Sequence, residues 1–218
     1  MNQVLHKRAR VPKGKSKKKR AARPDRESRL WERGKKAVAG LPPMPPGVSV
    51  TDVSDRGSDI SEYICHEVAA GRQFIARSQH NRKPVGDGGE PLARKLHDRL
   101  RSLPPVGQYI VRVPADEGGW REAAVAWERV RLLPPRQARG EHGREPVEVW
   151  GVIAREVSPP AGVKPVEWVL LTNRRVESLE QALEVVEDYA CRRVVEDYHK
   201  AMGRMKTGCG IEQLQSCR

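Results

Sequence analysis

Between positions 47 and 55 the chain reads "GVSVTDVSD", an alternating, β-branched stretch that predicts a half-buried strand ending on a carboxylate. The period then changes. In "DISEYICHEVAAG", Ile60, Tyr63, Ile64 and Val68 recur at helical spacing, and Gly71 supplies the stop. "QFIARS" predicts a short strand and "PLARKLHDRLRSL" another helix. Upstream, "PDRESRLWERGKKAVAGLPP" predicts a helix whose apolar face is Leu30, Trp31, Ala37 and Val38, ended by Gly40 and two prolines. "MNQVLH" reads as the end of a strand. Helices and strands alternate in the order α-β-α-β-α, which places this part of the chain in the α/β class.

Past residue 105 the pattern is different. "GQYIVRVP", "REAAVAWERVRLLPP" and "PVEVWGVIAREV" predict three antiparallel strands separated by turns rich in proline and glycine. "EWVLLTN" is a continuous apolar run, as expected of a central strand covered on both faces. Ser178 and Gln181 then form a capping box that opens a long helix, "SLEQALEVVEDYACRRVVEDYHKAM". The expected layout is a basic segment over 1–26, the first part of an α/β core over 27–105, and a β-rich insertion over 106–165. The last core strand and long helix follow over 166–212, with a tail over 213–218.

The long helix carries two stripes. Leu179, Ala182, Leu183, Val186, Ala190 and Val194 make an apolar one that can dock on a sheet. Tyr189, Arg192, Glu196 and Lys200 stand at offsets of three, seven and eleven, which places them within roughly 80° of one another on the helix. A solvated face laced with pairs such as Glu196 and Lys200 is the commoner account of such a stripe.

Charge narrows the classes of partner. The 218 residues carry a formal net charge of +13, which points to a polyanion, most simply nucleic acid. Lys and Arg crowd the stretch before Asp25, which contains no acidic residue, so this arm can contact phosphates without reading sequence. Aromatic residues are few, so a stacking platform for single strands is not the expected design. Cys65, Cys191, Cys209 and Cys217 form no C-x-x-C pair and have no histidine at zinc spacing, so free thiols in a reducing compartment are expected. With no apolar run of spanning length and no signal-peptide core, the expected location is the cytoplasm.

Asp55, with Arg56 and Gly57 directly after it, stands where open α/β sheets collect ligands and chemistry. Loop preference, with Ser58 or Asp59 capping the next helix, is the plainer account. "VSDRGSDI", "FIARSQH", "EWVLLTN" followed by "VESLEQAL", and "YACRRVVEDYHKAM…KTGCGIE" together resemble the bacterial insertion-sequence transposases of the DDE class. The similarity is to the branch with a Y-R-E-K signature on the helix that bears the catalytic Glu, and it spans roughly 27–212. The resemblance implies an RNase H-like core with a β insertion before the last catalytic helix. It makes Asp55 the second and Glu196 the third carboxylate of a triad that cuts and transfers DNA strands with two Mg²⁺ ions. Arg56, Arg77, Tyr189, Arg192, Lys200 and Lys206 would position phosphates of the transposon end. Trp168 matches a tryptophan that accepts a flipped base, with core packing as its other reading.

The family's first Asp has no match here. Asp25 reads as a helix cap, and Asp52, three residues before Asp55 on one strand, faces the other side. Gly203, Arg204 and Met205 intervene before Lys206, turning it about 60° from its usual bearing. The family's N-terminal DNA-recognition domain and C-terminal dimerisation helices are also unmatched. The expectation is therefore a truncated transposase, inactive by itself. The alternatives are a non-catalytic DNA-binding remnant or regulator of transposition, and a basic RNA-binding protein.

Overall fold

The computed structural model describes residues 45–112, 119–134 and 145–206, with the backbone alone for 112, 195–200 and 202–206. The basic segment, the first expected helix and the tail after 206 lie outside the described residues. Seven strands form one sheet: β1 (Thr51–Ser54), β2 (Gln73–Arg77), β3 (Pro84–Val85), β4 (Gly107–Arg112), β5 (Trp120–Leu132), β6 (Val147–Glu156) and β7 (Glu167–Thr172). The order across it is β1-β2-β7-β6-β5-β3, with β4 also on β5. β1 and β2 are parallel and every other pair is antiparallel. The fold is mixed α/β. The three strands expected over 106–165 do not stand apart from the core strands. β6 pairs with β7 from Trp150 to Arg155, so they extend the same sheet.

Among the described residues, three α-helices cover the sheet: α1 (Ser61–Ala69), α2 (Leu96–Arg101) and α3 (Leu179–Lys206). Side chains alternate between faces along a strand, and two cores result. On one face Tyr63 and Ile64 of α1 and Leu96 and Leu100 of α2 pack with Phe74, Ala76, Val169 and Leu171. On the other, Ala182, Val185, Val186 and Tyr189 of α3 pack with Ile75, Val125, Val152 and Leu170. Strands buried on both faces read as continuous apolar runs, which is why "VLL" of β7 is buried throughout. Two glycines let helices approach: a Cβ on Gly107 would lie 2.4 Å from Leu179, and one on Gly151 would lie 3.0 Å from Leu100.

Some expected bounds shift. β1 keeps only four of the nine residues from Gly47 to Asp55. α1 begins at Ser61, after a short 3₁₀ helix (Arg56–Ser58). α2 is confined to Leu96–Arg101 because Pro91 bridges Val85 and the Leu92 amide donates to the Pro84 carbonyl. α3 runs unbroken through Gly203, whose cost in a helix interior is about 1 kcal/mol relative to alanine. Among the described residues no helix is long and apolar enough to cross a membrane.

Candidate nucleic-acid interface

The parallel pair β1–β2 points its carboxyl ends toward one rim of the sheet, where an open α/β sheet leaves a crevice. Val53 pairs with Ile75, and both face α3. Asp52 pairs with Phe74, whose ring packs against Tyr63 on the opposite face. Asp52 therefore looks away from Asp55's side, as the alternation requires. Burial raises the Asp52 carboxyl above its ordinary range, and Tyr63 opposes that shift.

Asp55 follows the last residue of β1 and caps the 3₁₀ turn, its Oδ1 accepting from the Gly57 amide at 2.8 Å. Its Oδ2 accepts from Arg192 of α3 at 3.1 Å, a contact between residues 137 apart in sequence. Both side chains are reachable by solvent, Asp55 at 53% and Arg192 at 29%. Residue 196 follows Arg192 by one helical turn, and positions four apart share a helix face. The backbone thus places 196 next along the face that meets the β1 tip. The side chains of Glu196, Lys200 and Lys206 lie outside the described residues. Among the described residues no group of three or more His, Cys, Asp or Glu is arranged to hold a metal ion.

Tyr189 departs from the expectation that it presents to DNA. It is only 5% exposed, lies in the core facing α3, and meets Trp168 edge to face with ring centroids 5.2 Å apart. Aromatic bodies bury well in such a geometry, so Tyr189 is corrected here from a phosphate contact to a packing residue. Trp168 is partly buried against the same core, which corresponds to the packing alternative of the two expected for it.

Arg56 is exposed just beyond Asp55. Arg77, at the end of β2, donates to the Glu167 carbonyl at 3.0 Å. Both line a cleft of about 490 Å³ with Ser78, His97, Arg101 and Lys164, at the carboxyl ends of the parallel strands. Arg101 makes a two-pronged ion pair with Glu167, at 2.9 and 2.6 Å, which holds the Glu167 carboxyl below its usual range. Burial, with the Arg101 charge adding, lowers the His97 imidazole from its ordinary value, so its neutral form is favoured there.

Asp59 is the residue whose role the sequence hid. It reads as a cap, yet α1 has Ile60 at its N-cap, with no side-chain hydrogen bond there. Asp59 is fully buried. Its Oδ2 accepts from the Gln79 and His80 amides at 2.6 and 2.7 Å and from the Ser78 hydroxyl at 3.3 Å. Its Oδ1 is ion-paired with Arg82, and its carbonyl takes a second Arg82 N–H at 2.7 Å. Ser78 also shares a hydrogen with His97 Nε2 at 2.9 Å. One carboxylate thus ties "DRGSDI" to "RSQHNR" and fixes the two segments that carry Arg56 and Arg77.

The assembled rim offers one exposed carboxylate at a strand tip, a helix face that reaches it, and a concave basic surface beside both. Such a surface can hold a phosphodiester and set an acidic group against it. No family model matches the chain.

Proposed function

We propose that this chain handles DNA as a member of the DDE transposase class, with an RNase H-like core whose active rim is the Asp55 side of the sheet. The observation that carries this reading is the Asp55–Arg192 contact at 3.1 Å. It joins two motifs of the resemblance that are far apart in sequence and puts position 196 one turn along the same helix. The parallel β1–β2 pair, with helices on both faces of the sheet, is compatible with that core.

Asp55 and Glu196 supply hard oxygen donors, the kind Mg²⁺ selects while it keeps several waters. Asp55 fits the ion because its carboxylate is half exposed and sits at the rim rather than in the core. When bound, a pair of such ions activates the attacking oxygen and stabilises the leaving oxygen of an in-line displacement. Asp55 and Glu196 would hold the ions. Arg192 would offset the charge of Asp55 while the ions are absent, since like carboxylates brought together repel. Arg56 and Arg77 would grip the strand by its phosphates, and Lys200 and Lys206 would extend that grip along α3.

A second reading, a DNA-binding protein without strand cleavage, is favoured by one observation. Asp52, the nearest other acid on β1, faces the opposite core. If no third carboxylate joins Asp55 and Glu196, the ions are placed loosely, and misplacing reacting groups by about 1 Å costs on the order of a hundredfold in rate. The test is nicking of supercoiled plasmid with Mg²⁺ or Mn²⁺, read beside DNA binding, for the wild type and Glu196→Ala. The expected result is DNA binding without nicking by either protein. Nicking that Glu196→Ala abolishes would remove the non-catalytic reading, and failure to bind DNA would sink both.

A further inference from the structure

We propose that the cleft beside Asp55 is a subsite for the phosphodiester backbone of a single DNA strand, and that Lys164 is a positioning residue for it. This rests on the DNA reading above and adds a residue that no motif of the resemblance contains. The observation behind it is an imbalance of charge in a concave place. Arg56, Arg77, Arg101 and Lys164 line the cleft, against the single carboxylate of Glu167. Arg101 is taken up by Glu167. Among the described residues, Arg56, Arg77 and Lys164 have no carboxylate partner, and they come from three separate segments of the chain. Clustered cations repel one another, and low-dielectric walls focus their field outward, so an anion is the ligand that such a cleft favours.

The size of the cleft limits what enters it. A cleft of about 490 Å³ falls in the range that encloses a small-molecule-sized ligand. It holds a short piece of one backbone, with the rest of the duplex outside.

Lys164 is held where it is by its loop. The β6–β7 hairpin turns through Gly162, whose φ of +77° suits glycine, and the Val163 amide donates to the Pro160 carbonyl at 3.1 Å. At its base, Glu156 accepts from the Val166 amide at 2.9 Å and pairs with Arg121 at 2.6 Å. The Val166 amide, helped by Arg121, keeps the Glu156 carboxyl below its ordinary range, so the clamp stays ionised at neutral pH. Pro165 follows Lys164 directly and restricts it to extended backbone. The braced loop fixes the backbone at Lys164, so only its side chain is left to order when it meets a phosphate.

The experiment is fluorescence anisotropy of a labelled blunt DNA duplex across a salt series, with wild type, Lys164→Gln, Lys164→Glu and the control Arg129→Gln on β5. Melting curves accompany each variant, because a loop lysine should leave the fold unchanged. Lys164→Gln should weaken binding on the order of threefold near physiological salt and make the salt slope shallower by about 0.9, the share of one phosphate contact. Lys164→Glu should weaken it further, and Arg129→Gln should leave both quantities alone. Wild-type binding with a steep slope that neither Lys164 variant alters would overturn the subsite and leave the DNA reading standing. Absence of wild-type binding would overturn both. Tighter binding of an RNA duplex of equal length would assign the cleft to the other nucleic acid and overturn the proposal as stated.

Discussion

Asp59→Ala is expected to cost the fold about 3–5 kcal/mol, because removing one partner of a buried ion pair leaves the other charge uncompensated. Arg82 would lose the carboxylate it pairs with, and the Gln79 and His80 amides would lose their acceptor. Small domains have about 5–15 kcal/mol in total, so this is a large share. Urea denaturation reads it directly. With a slope of about 1–3 kcal/mol per molar, the midpoint should fall by roughly 2 M. Asp59→Asn keeps one acceptor oxygen and should fall between wild type and alanine. An alanine variant within about 1 kcal/mol of wild type would show that the loop's bonds are replaced by water, and that Asp59 is not what holds the rim.

The second large effect is expected in DNA binding. If the basic rim and the lysine- and arginine-rich stretch before Asp25 bind DNA phosphates, they do so by releasing counterions, so the binding constant should fall steeply with salt. The slope on logarithmic axes is about −0.9 for each phosphate neutralised, and six to ten contacts lose about 10³–10⁵ in affinity between 50 and 200 mM salt. The steepness should be alike for unrelated duplexes, since phosphate contacts carry no sequence information. Arg77→Ala should weaken binding modestly by itself, because its guanidinium also donates to the Glu167 carbonyl and part of the change is local packing. Binding that barely changes across the salt series would contradict a phosphate-dominated surface.

What could be read from the sequence was mostly local. The strand before Asp55, the helix after it and the long α3 follow from period and from cap residues, and all three are present. The placement of Asp52 and Asp55 on opposite sides is fixed by alternation alone. Three features needed contacts that no window contains. Asp59 looks like a cap until Arg82 and two amides some twenty residues later close around it. Tyr189 stands at the boundary between the apolar and polar stripes of α3, where helical periodicity cannot say on which side an amphipathic ring falls, and Trp168 of β7 decides it. Val68 was expected in the apolar face of α1 but is 36% exposed, while Glu67 is buried because Arg72 grips it at 2.7 and 2.8 Å. The basic cleft was hidden for the same reason. His97 and Arg101 of α2 share no motif with Lys164 of the β6–β7 hairpin, and only the fold brings them beside Arg56 and Arg77.

If Asp55 and Glu196 share a divalent cation at the carboxyl rim of the sheet, iron-directed cleavage of the protein itself should reveal it. Fe²⁺ takes the place of Mg²⁺ with a DNA duplex bound, and ascorbate with peroxide releases radicals at the ion that cut the nearest backbone. Two sets of fragments are expected, one ending near residue 55 and one near residue 196. Excess Mg²⁺ should suppress both together, and Asp55→Ala should remove both. Cuts near only one of the two positions, or cuts that survive Asp55→Ala, would contradict a shared site and with it the proposed DDE kinship of this rim.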